Sequence, residues 1–480
     1  MSVIALSCMN CGGMARIEWD PLGARTLRLW VLSNRILILD EAHGYDPFME
    51  EELRSLLRFH AMLDGSAVAM TATLPGKMRD GYAEAFQRGL GMRRPTQIEG
   101  DAYPQLSLVH GKQVETCAPA PVPETCRKIE VERVDAGAAM ERIREGVEQG
   151  AACVWIRNAV DDAIAAVKAL ECQGIQADLL HARFMVADRL RKEEALQARF
   201  GPDGTGRRGG VLVATQVVEA SLDLDFDVMI SDLAPIGSLI QRAGRLWRHM
   251  DLRPIEGRPV PGPSLQILSP DPEAVEDGQW LHRVLDAGAW VYPLTDQWRT
   301  ARAVFGAGAI REPDGLRDLI EAVHGPDPEE VPEAMRRAEQ DSLGKLMIER
   351  QMAKNQLLLS THCDGQLLDY LAAAQKVYDD ERLTTRLGIP QVTLRLAQFD
   401  ANGLEPLAHS WEDSEVQMSR ARYEKLGGVD QKSPEIVRLK SSWPDWKRST
   451  VQIAVVGKEG TIAKELRYDS RLGLLAGTSN

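Results

Sequence analysis

Two adjacent carboxylates, Asp40 and Glu41, stand directly after the apolar run ILIL. Such a run indicates a buried strand, which would place both acids at the carboxyl edge of a sheet, where α/β proteins bind ligands. In nucleotide hydrolysis a first acid of this kind holds Mg²⁺ and a second polarises the attacking water. The pair therefore predicts a phosphoryl-transfer site, with Asp40 as the metal ligand and Glu41 as the group that activates water.

Further candidates follow the next apolar runs along the chain. Thr71 and Thr73 come after the short run VAM, where their hydroxyls could link a nucleotide's state to contact with a nucleic-acid strand. A strand end capped by threonine is the alternative interpretation. Thr215 and Gln216 end a later run, where a hydroxyl and an amide can meet a backbone phosphate.

The segment VEASLDLDFDVMISDLAPIGSLIQRAGRLWRH adds acids and arginines. Asp223 and Asp225 alternate with leucines, which predicts that both carboxylates face the same side. Arg245 and Arg248 would lie about one turn apart on one helix face, where two guanidiniums suit the charge that develops on a γ-phosphate. A surface helix with scattered arginines is the alternative, although Gly244 inside such a helix would cost stability.

The bulk composition limits the classes of protein. A chain of 480 residues, 44% hydrophobic and 26% charged, is typical of a soluble protein with about three domains of ~150 residues each. No apolar run approaches the ~20 residues of a membrane span. Seven scattered cysteines favour a reducing cytoplasm. The net charge of −13 argues against gripping nucleic acid by bulk electrostatics, with the basic stretch 183–208 as a local exception.

Strands that alternate with helices predict a parallel sheet and an α/β fold. Pro-rich stretches at 117–126 and 253–264 mark two boundaries. We expect four parts, at residues 1–118, 119–265, 266–380 (helical and acidic) and 381–480 (short strands and loops).

The order of these motifs resembles that of superfamily 2 helicases, and in particular the CRISPR-associated helicase of type I systems. DEAHGYD, TATLP, VATQVVEASLDLDFD, QRAGRLWRH and the tail phrase YDSRLGLL are similar to that family's motifs in sequence and order. The resemblance implies tandem RecA-like motor domains, the first incomplete, then a helical segment and a small α+β C-terminal domain. It implies ATP and Mg²⁺ as cofactors, and single-stranded DNA and the Cascade surveillance complex as partners.

The resemblance also assigns roles to particular residues. Asp40 would hold Mg²⁺, Glu41 would activate water, and Arg245 and Arg248 would complete the catalytic set. Nucleotide binding and coupling would fall to His43, Thr71, Thr73, Asp223, Gln241 and Arg242. The DNA strand would contact Asn158, His181, Arg183, Thr215 and Gln216.

Two features of the family are missing from this sequence. A phosphate-binding loop ends in Gly-Lys-Ser/Thr, whereas the Gly-Lys pairs that begin at Gly76, Gly111, Gly344 and Gly457 are followed by other residues. The family's metal nuclease domain needs a His-Asp pair, and none occurs. We therefore expect the C-terminal part of such an enzyme, with a sheet edge exposed in its first domain. A separate polypeptide could carry the loop and the nuclease, and alone the chain should hydrolyse little ATP.

Two alternatives stay open at this point. The chain could be a non-catalytic module that docks on DNA or on the surveillance complex, or part of a superfamily 2 helicase that acts on RNA. Cys8 and Cys11 have the spacing of half a zinc site, but a structural site needs four ligands and no second CxxC exists.

Overall fold

The computed structural model describes residues 35–42, 46–100, 102–110, 113–219, 222–356, 390–400 and 403–477. The predictions for His43, Cys8 and Cys11 therefore lie outside the described residues. None of the helices in these ranges is both long and apolar enough to span a membrane.

The helices alternate with strands along most of the described chain. The helices are α1 Pro47–Met62, α2 Gly76–Gly89, α3 Ala136–Gln149, α4 Val160–Cys172, α5 Val186–Phe200, α6 Ile236–Ala243, α7 Leu294–Ala307, α8 Leu316–His324, α9 Arg336–Gln356, α10 Arg420–Lys425, α11 Pro434–Ser441 and α12 Asp445–Thr450. The strands are β1 Ile36–Leu39, β2 Ser66–Ala69, β3 Leu106–His110, β4 Gln113–Cys117, β5 Arg127–Val134, β6 Cys153–Ile156, β7 Asp178–Leu180, β8 Val211–Ala214, β9 Val228–Asp232, β10 Ser264–Leu268, β11 Ala309–Glu312, β12 Gln391–Asp400, β13 Gly403–Pro406, β14 Glu415–Ser419, β15 Val451–Val455, β16 Thr461–Ala463, β17 Leu466–Asp469 and β18 Gly473–Ala476.

The first unit is built on the two parallel strands β1 and β2, with α1 and α2 packed on one face and the hairpin β3–β4 beside them. Leu37 and Leu39 enter its core, whereas Ile36 and Ile38 are 62% and 38% exposed. The expectation of a fully buried strand is therefore wrong for alternate residues of β1. Within the described residues, one apolar face of this small sheet is open, which agrees with the expected incomplete first domain.

The second unit contains a seven-stranded sheet in the order β11-β5-β10-β9-β6-β8-β7. Its strands are parallel except for β11, which pairs antiparallel with β5. Every residue of β6, β8 and β9 is buried, as expected for a parallel sheet covered by helices on both faces. The predicted α/β fold is confirmed here.

The core of the second unit extends beyond the expected boundary at residue 265. β11, α7 and α8 contribute Ile310, Val304 and Ile320 to the same cluster of buried side chains. The segment 266–380, expected as a helical region of its own, thus completes this core in its first half. The helix α9 then returns to the first unit, where Arg350 pairs with Glu50 at 3.1 Å.

The C-terminal unit combines a sheet around the long strand β12 with a three-stranded sheet, β16-β17-β18. β13 and β14 pair antiparallel with successive halves of β12, and β15 pairs parallel with it. The unit has its own buried cluster, which includes Leu394, Leu396 and Leu474. This arrangement agrees with the small α+β domain that was expected.

Candidate functional site

The acidic pair lies at the carboxyl end of β1, next to the predicted coupling threonines. The Met70 amide donates to the Leu39 carbonyl at 2.7 Å, and the Ala42 amide donates to the Met70 carbonyl at 3.2 Å. These bonds continue the β1–β2 pairing past the strands and hold the two loops side by side. The Thr73 amide donates to Thr71 Oγ1 at 3.2 Å, so the threonine loop is itself ordered. The structure therefore brings together acids and hydroxyls that are well separated in the sequence.

Glu41 of the first unit contacts the second unit across a cleft between them. The Gln241 amide nitrogen donates to Glu41 Oε2 across the cleft at 3.3 Å. Partial loss of water in this cleft, with the neighbouring charge of Asp40, raises the Glu41 pKa, while the positive charge of Arg245 opposes that rise. A carboxylate with a raised pKa is a better proton acceptor, which suits a group that activates water.

Glu41 also has a strained backbone, with a φ of +52°. A non-glycine residue in the left-handed region costs on the order of 1 kcal/mol or more, and such residues cluster at functional sites. Trp247, which lies between Arg245 and Arg248 in the arginine turn, has a φ of +50°. Strain on both sides of the same cleft supports its identification as the functional site.

Arg245 lies in the cleft on the second unit. Its Nε and Nη2 donate to the carbonyls of Val218 and Glu219 at 3.2 and 2.8 Å. Burial and the neighbouring charge of Arg248 lower the Arg245 pKa to about 10, so the guanidinium remains protonated at neutral pH. Because its charge also acts on Glu41, Arg245 is placed to stabilise negative charge between the two units.

Arg248 pairs with Asp223 instead of a phosphate in this structure. Its Nε lies 2.5 Å from Asp223 Oδ1, and His249 Nε2 lies 3.1 Å from the same oxygen. The Arg248 and Asp223 side chains are 40% and 43% exposed. An exposed pair of this kind contributes only ~0–1 kcal/mol, so a bound phosphate could replace Asp223 at little cost.

The expectation of one helix carrying both arginines is wrong. The helix α6 ends at Ala243, and Gly244 is its C-cap, so Arg245 and Arg248 lie in the turn that follows. The glycine therefore terminates the helix and does not weaken its interior. Asp223 and Asp225, which were expected to face the same side, both accept a hydrogen bond from Arg248, but Asp225 is fully buried while Asp223 is open to solvent.

Arg242 was expected to face the cleft, but its side chain does not. Its side chain is fully buried, with Nε 2.7 Å from Glu219 Oε1, Nη1 2.8 Å from Ser231 Oγ and Nη2 3.1 Å from Asn158 Oδ1. Burial without access to ligand contradicts direct phosphate contact. Arg242 holds Glu219, whose carbonyl accepts the bond from Arg245, and so acts behind the site.

Three of the predicted DNA-contacting residues are part of the same support. Asn158 and Thr215 are 3% and 2% exposed. The Asn158 side chain also donates to the Leu233 carbonyl at 2.7 Å, and Gln216 Nε2 donates to the Asn158 carbonyl at 2.8 Å. The contact of these residues with DNA stays a prediction, but Asn158 and Thr215 have no accessible side chain in this structure.

His181 and Arg183, also predicted to lie along DNA, hold the C-terminal unit. His181 is fully buried, with Nε2 3.1 Å from the Leu472 carbonyl and Nδ1 accepting from the Arg183 amide at 3.1 Å. These two bonds require a neutral ring, and burial with the nearby Arg183 charge lowers the His181 pKa to about 3. Burial is therefore at odds with a role of the His181 ring in binding DNA.

The Arg183 guanidinium is also engaged in the contact with the C-terminal unit. Asp161 accepts from Arg183 at 2.6 Å and from Arg422 of the C-terminal unit at 2.6 Å. One carboxylate on α4 thus joins two arginines from different units. Any contact of Arg183 with a phosphate would compete with this pair.

Sequence reasoning missed a buried charge network beneath the arginine turn. Asp225 Oδ2 accepts from Arg253 at 2.8 Å and from Arg258 at 3.0 Å, and Asp225 Oδ1 accepts from the Arg248 amide at 2.9 Å. Arg253 and Arg258 also contact Asp227. Both arginines lie in the Pro-rich stretch that was interpreted as a boundary. Their spacing of five residues opposite two alternating acids was the available signal.

Comparison with known proteins places this cleft in a family. The family model described as CRISPR-associated nuclease/helicase Cas3, C-terminal, matches residues 149–251, which include Asp223 and the arginine turn. The CRISPR-associated endonuclease/helicase Cas3 of Thermus thermophilus is 33% identical over 424 residues, which cover 77% of this chain and 44% of that protein. The chain therefore spans less than half the length of this relative.

Solved structures show the same fold. Cas3 of T. fusca matches with a TM-score of 0.76 at 25% identity, covering 94% of this chain and 55% of that one, and the structure titled with ATP matches at 0.75. A chain from a structure titled as a pre-nicking CRISPR RNA-guided surveillance complex matches with a TM-score of 0.72 at 24% identity, over 94% of this chain and 58% of that one. The two sheet units are thus RecA-like, and the chain belongs to the Cas3 family of CRISPR-associated helicases, whose C-terminal part it matches.

Proposed function

We propose that this chain is the C-terminal motor part of an ATP-dependent helicase that translocates on single-stranded DNA in type I CRISPR defence. The observation that carries the proposal is the cleft in which Glu41 of the first unit meets Gln241 and Arg245 of the second. An acid opposite an arginine across two RecA-like units suits hydrolysis of a bound nucleoside triphosphate. The relationship to Cas3 and its ATP-bound structure support the choice of ATP.

The residues of the first unit fit a Mg²⁺–nucleotide complex in part. Mg²⁺ usually binds one or two carboxylates together with substrate phosphates, and Asp40 offers one carboxylate at the sheet edge. When bound, the ion would neutralise charge on the phosphates. The sequence given contains no Gly-Lys-Ser/Thr loop, so the phosphate cradle would come from residues outside it, in the same protein or in a separate polypeptide.

The chain's own residues would divide the work of hydrolysis. Glu41, with its raised pKa, would orient a water and accept its proton. Arg245 would stabilise charge on the γ-phosphate, and Arg248 would leave Asp223 to join it. Thr71 and Thr73, beside the acids, would transmit the change to the DNA-contacting surface.

Single-stranded DNA and the Cascade surveillance complex are the proposed partners, and the cytoplasm is the proposed location. The match to a chain in a surveillance complex supports the second partner. Binding should depend on salt and be nearly blind to sequence, because phosphates are held instead of base edges. DNA binding that nucleotide never alters would favour the alternative of a non-catalytic docking module, and a preference for RNA would favour a helicase of another substrate class.

The test is ATP hydrolysis with single-stranded DNA, by the chain alone and with a polypeptide that carries the phosphate-binding loop. We expect hydrolysis only in the second case, and loss of about 10³-fold or more in Arg245→Ala, because an arginine of this type contributes that much. Arg94→Ala is the matched control, since Arg94 is exposed and far from the cleft in sequence. Equal rates in Arg245→Ala and wild type would refute the assignment.

A further inference from the structure

The helix α8 of the second unit contacts the threonine loop of the first unit through two side chains. Glu321 Oε1 accepts from the Gly76 amide at 2.8 Å, although the two residues are 245 positions apart. Gly76 begins the helix α2, and its N-cap residue, Pro75, provides no side-chain cap. A carboxylate at a helix N-terminus satisfies a free amide and interacts favourably with the helix dipole. Glu321 thus caps α2 from the other unit.

Arg317 on the same helix completes this contact. Its Nη2 lies 3.1 Å from Glu321 Oε1, and its Nη1 donates to the Leu74 carbonyl at 3.4 Å. The Arg317 and Glu321 side chains are 11% and 28% exposed, so the pair is largely shielded from water. The guanidinium both orients the capping carboxylate and holds the loop at Leu74, two residues before the helix begins.

The close approach depends on the absence of a side chain at residue 76. A Cβ added to Gly76 would lie 2.7 Å from Arg317 Nη2 and 3.2 Å from Glu321 Oε1. Any other residue would therefore displace the arginine. Glycine at this position lets the guanidinium and the carboxylate of helix α8 approach the start of α2 this closely.

The loop held in this way carries the predicted coupling hydroxyls. Thr73 is 3% exposed, and its Oγ1 has no hydrogen-bond partner among the described residues. The Tyr103 hydroxyl donates to the Ala72 carbonyl from the other side of the loop. A buried hydroxyl without a partner, on a loop fixed at both ends, is poised to bond to a group that arrives.

The strand that precedes α8 reaches the arginine turn as well. Glu312 of β11 pairs with Arg127 Nε at 2.9 Å, and Arg127 Nη1 donates to the Leu246 carbonyl at 2.6 Å. Leu246 directly follows Arg245. β11 and α8 are consecutive elements, so one short segment contacts the threonine loop directly and the turn that carries Arg245 through Arg127 of β5.

We propose that Arg317 and Glu321 are positioning residues that hold the Thr71–Gly76 loop against the second motor domain, in register with Arg245. The catalytic consequence of this inference rests on the proposed function, whereas the contact between α8 and the loop does not. Arg317 and Glu321 touch no substrate and act through the backbone of the loop. Because of this contact, movement between the motor domains displaces Thr71 and Thr73.

The first test is hydrogen–deuterium exchange of the full chain, resolved to single amides. Glu321→Ala should speed exchange of the Gly76 amide about tenfold or more, because it removes a hydrogen bond to a charged group. It should also speed exchange of the Thr73 amide several-fold, whereas Glu321→Gln, which keeps an acceptor oxygen, should do less of both. Asp318→Ala is the control, since Asp318 is exposed on the same helix.

The outcomes separate positioning from simple capping. Unchanged exchange at Gly76 in Glu321→Ala would overturn the contact itself. Faster exchange at Gly76 with an unchanged Thr73 amide would show a local helix cap and overturn the positioning role.

The second test is DNA-stimulated ATP hydrolysis in the presence of the polypeptide that carries the phosphate-binding loop. Arg317→Ala should lower kcat at least several-fold with little change in KM for ATP, and Arg317→Lys should restore only part, since lysine lacks the second donor. An unchanged kcat would overturn the role in coupling. If wild type itself hydrolyses nothing, the proposed function fails, and the exchange experiment still decides the positioning.

Discussion

The two sheet units of this chain bury their strands to very different degrees. In the second unit, β6, β8 and β9 are buried at every residue and helices cover both faces of seven strands. In the first unit, β1 is buried only at alternate residues, and Ile36 and Ile38 point away from its core. The second unit has the burial that a parallel sheet needs, whereas the described part of the first shows a sheet with one uncovered face.

The difference shows how the catalytic parts are supported. Around Arg245, the second unit supplies a buried network of charged and polar groups that includes Arg242 and Asp225. Around Asp40 and Glu41, the described part of the first unit supplies β2, its loops and Tyr82 of α2, whose hydroxyl donates to the Ala42 carbonyl at 3.0 Å, and Gln241 adds a contact from the second unit. Among the described residues, the acidic half of the site is therefore held mainly by backbone bonds, and the arginine half by buried side chains.

The largest effect should come from the buried network of the second unit. Asp225→Ala should lower the free energy of unfolding by about 3–5 kcal/mol, because it removes one of the two carboxylates that pair with the buried Arg258 and leaves only Asp227. Asp223→Ala, two residues away and exposed, should cost less than about 1 kcal/mol. Urea unfolding of both variants measures the contrast. Equal costs would mean that the network does not support the turn.

The next largest effect should come from the single buried face of the first unit's sheet. Leu37→Ala should cost about 2–5 kcal/mol, because Leu37 is 7% exposed in the core formed with α1 and α2. The loss of stability should appear as an earlier unfolding step of the first unit. A fluorescent or exchange probe placed in that unit measures this step. A cost below 1 kcal/mol would show that this unit has no independent core.

Acid should weaken the second unit and its junction with the C-terminal unit. The folded-state His181 pKa of about 3 is depressed from the ordinary value of 6.5, so the unfolded chain binds the extra proton between these pH values. The stabilisation is complete above pH 6.5 and is lost as pH falls towards 3, with about 2 kcal/mol lost by pH 5. Unfolding of wild type and His181→Gln at pH 7 and pH 5 checks this, and an identical pH dependence would contradict it.

The smallest effect should come from the open face of the first unit. Ile36→Thr should change the free energy of unfolding by no more than about 0.5 kcal/mol, since the side chain is 62% exposed. It should also raise solubility, because it removes apolar surface from a sheet face. A cost near that of Leu37→Ala would show that something covers this face in solution. The sheet of the first unit would then be buried on both faces, as that of the second unit is.

The alternation of strands and helices, from which the α/β fold was predicted, comes from elements with strong local signals. Helix α3 begins after Asp135, whose side chain accepts from the Ala138 amide at 2.8 Å, and ends at Gly150 with a φ of +82°. β6, β8 and β9 are continuous apolar runs between turn signals, a pattern that leaves few other conformations. The end of α6 was misplaced, since the glycine that stops it was interpreted as an interior residue.

The sequence by itself determined the chemistry at the sheet edge, because Asp40 and Glu41 are covalent neighbours and any strand that ends before them presents both. It also determined the family, through the order of the motifs. Only the tertiary structure decided which charged groups reach the cleft. Arg242 and Asp225 are buried while Arg248 and Asp223 are accessible, and Glu321 finds Gly76 across 245 residues. Burial and pairing of this kind depend on how the sheets and helices pack, which spacing along the chain does not encode.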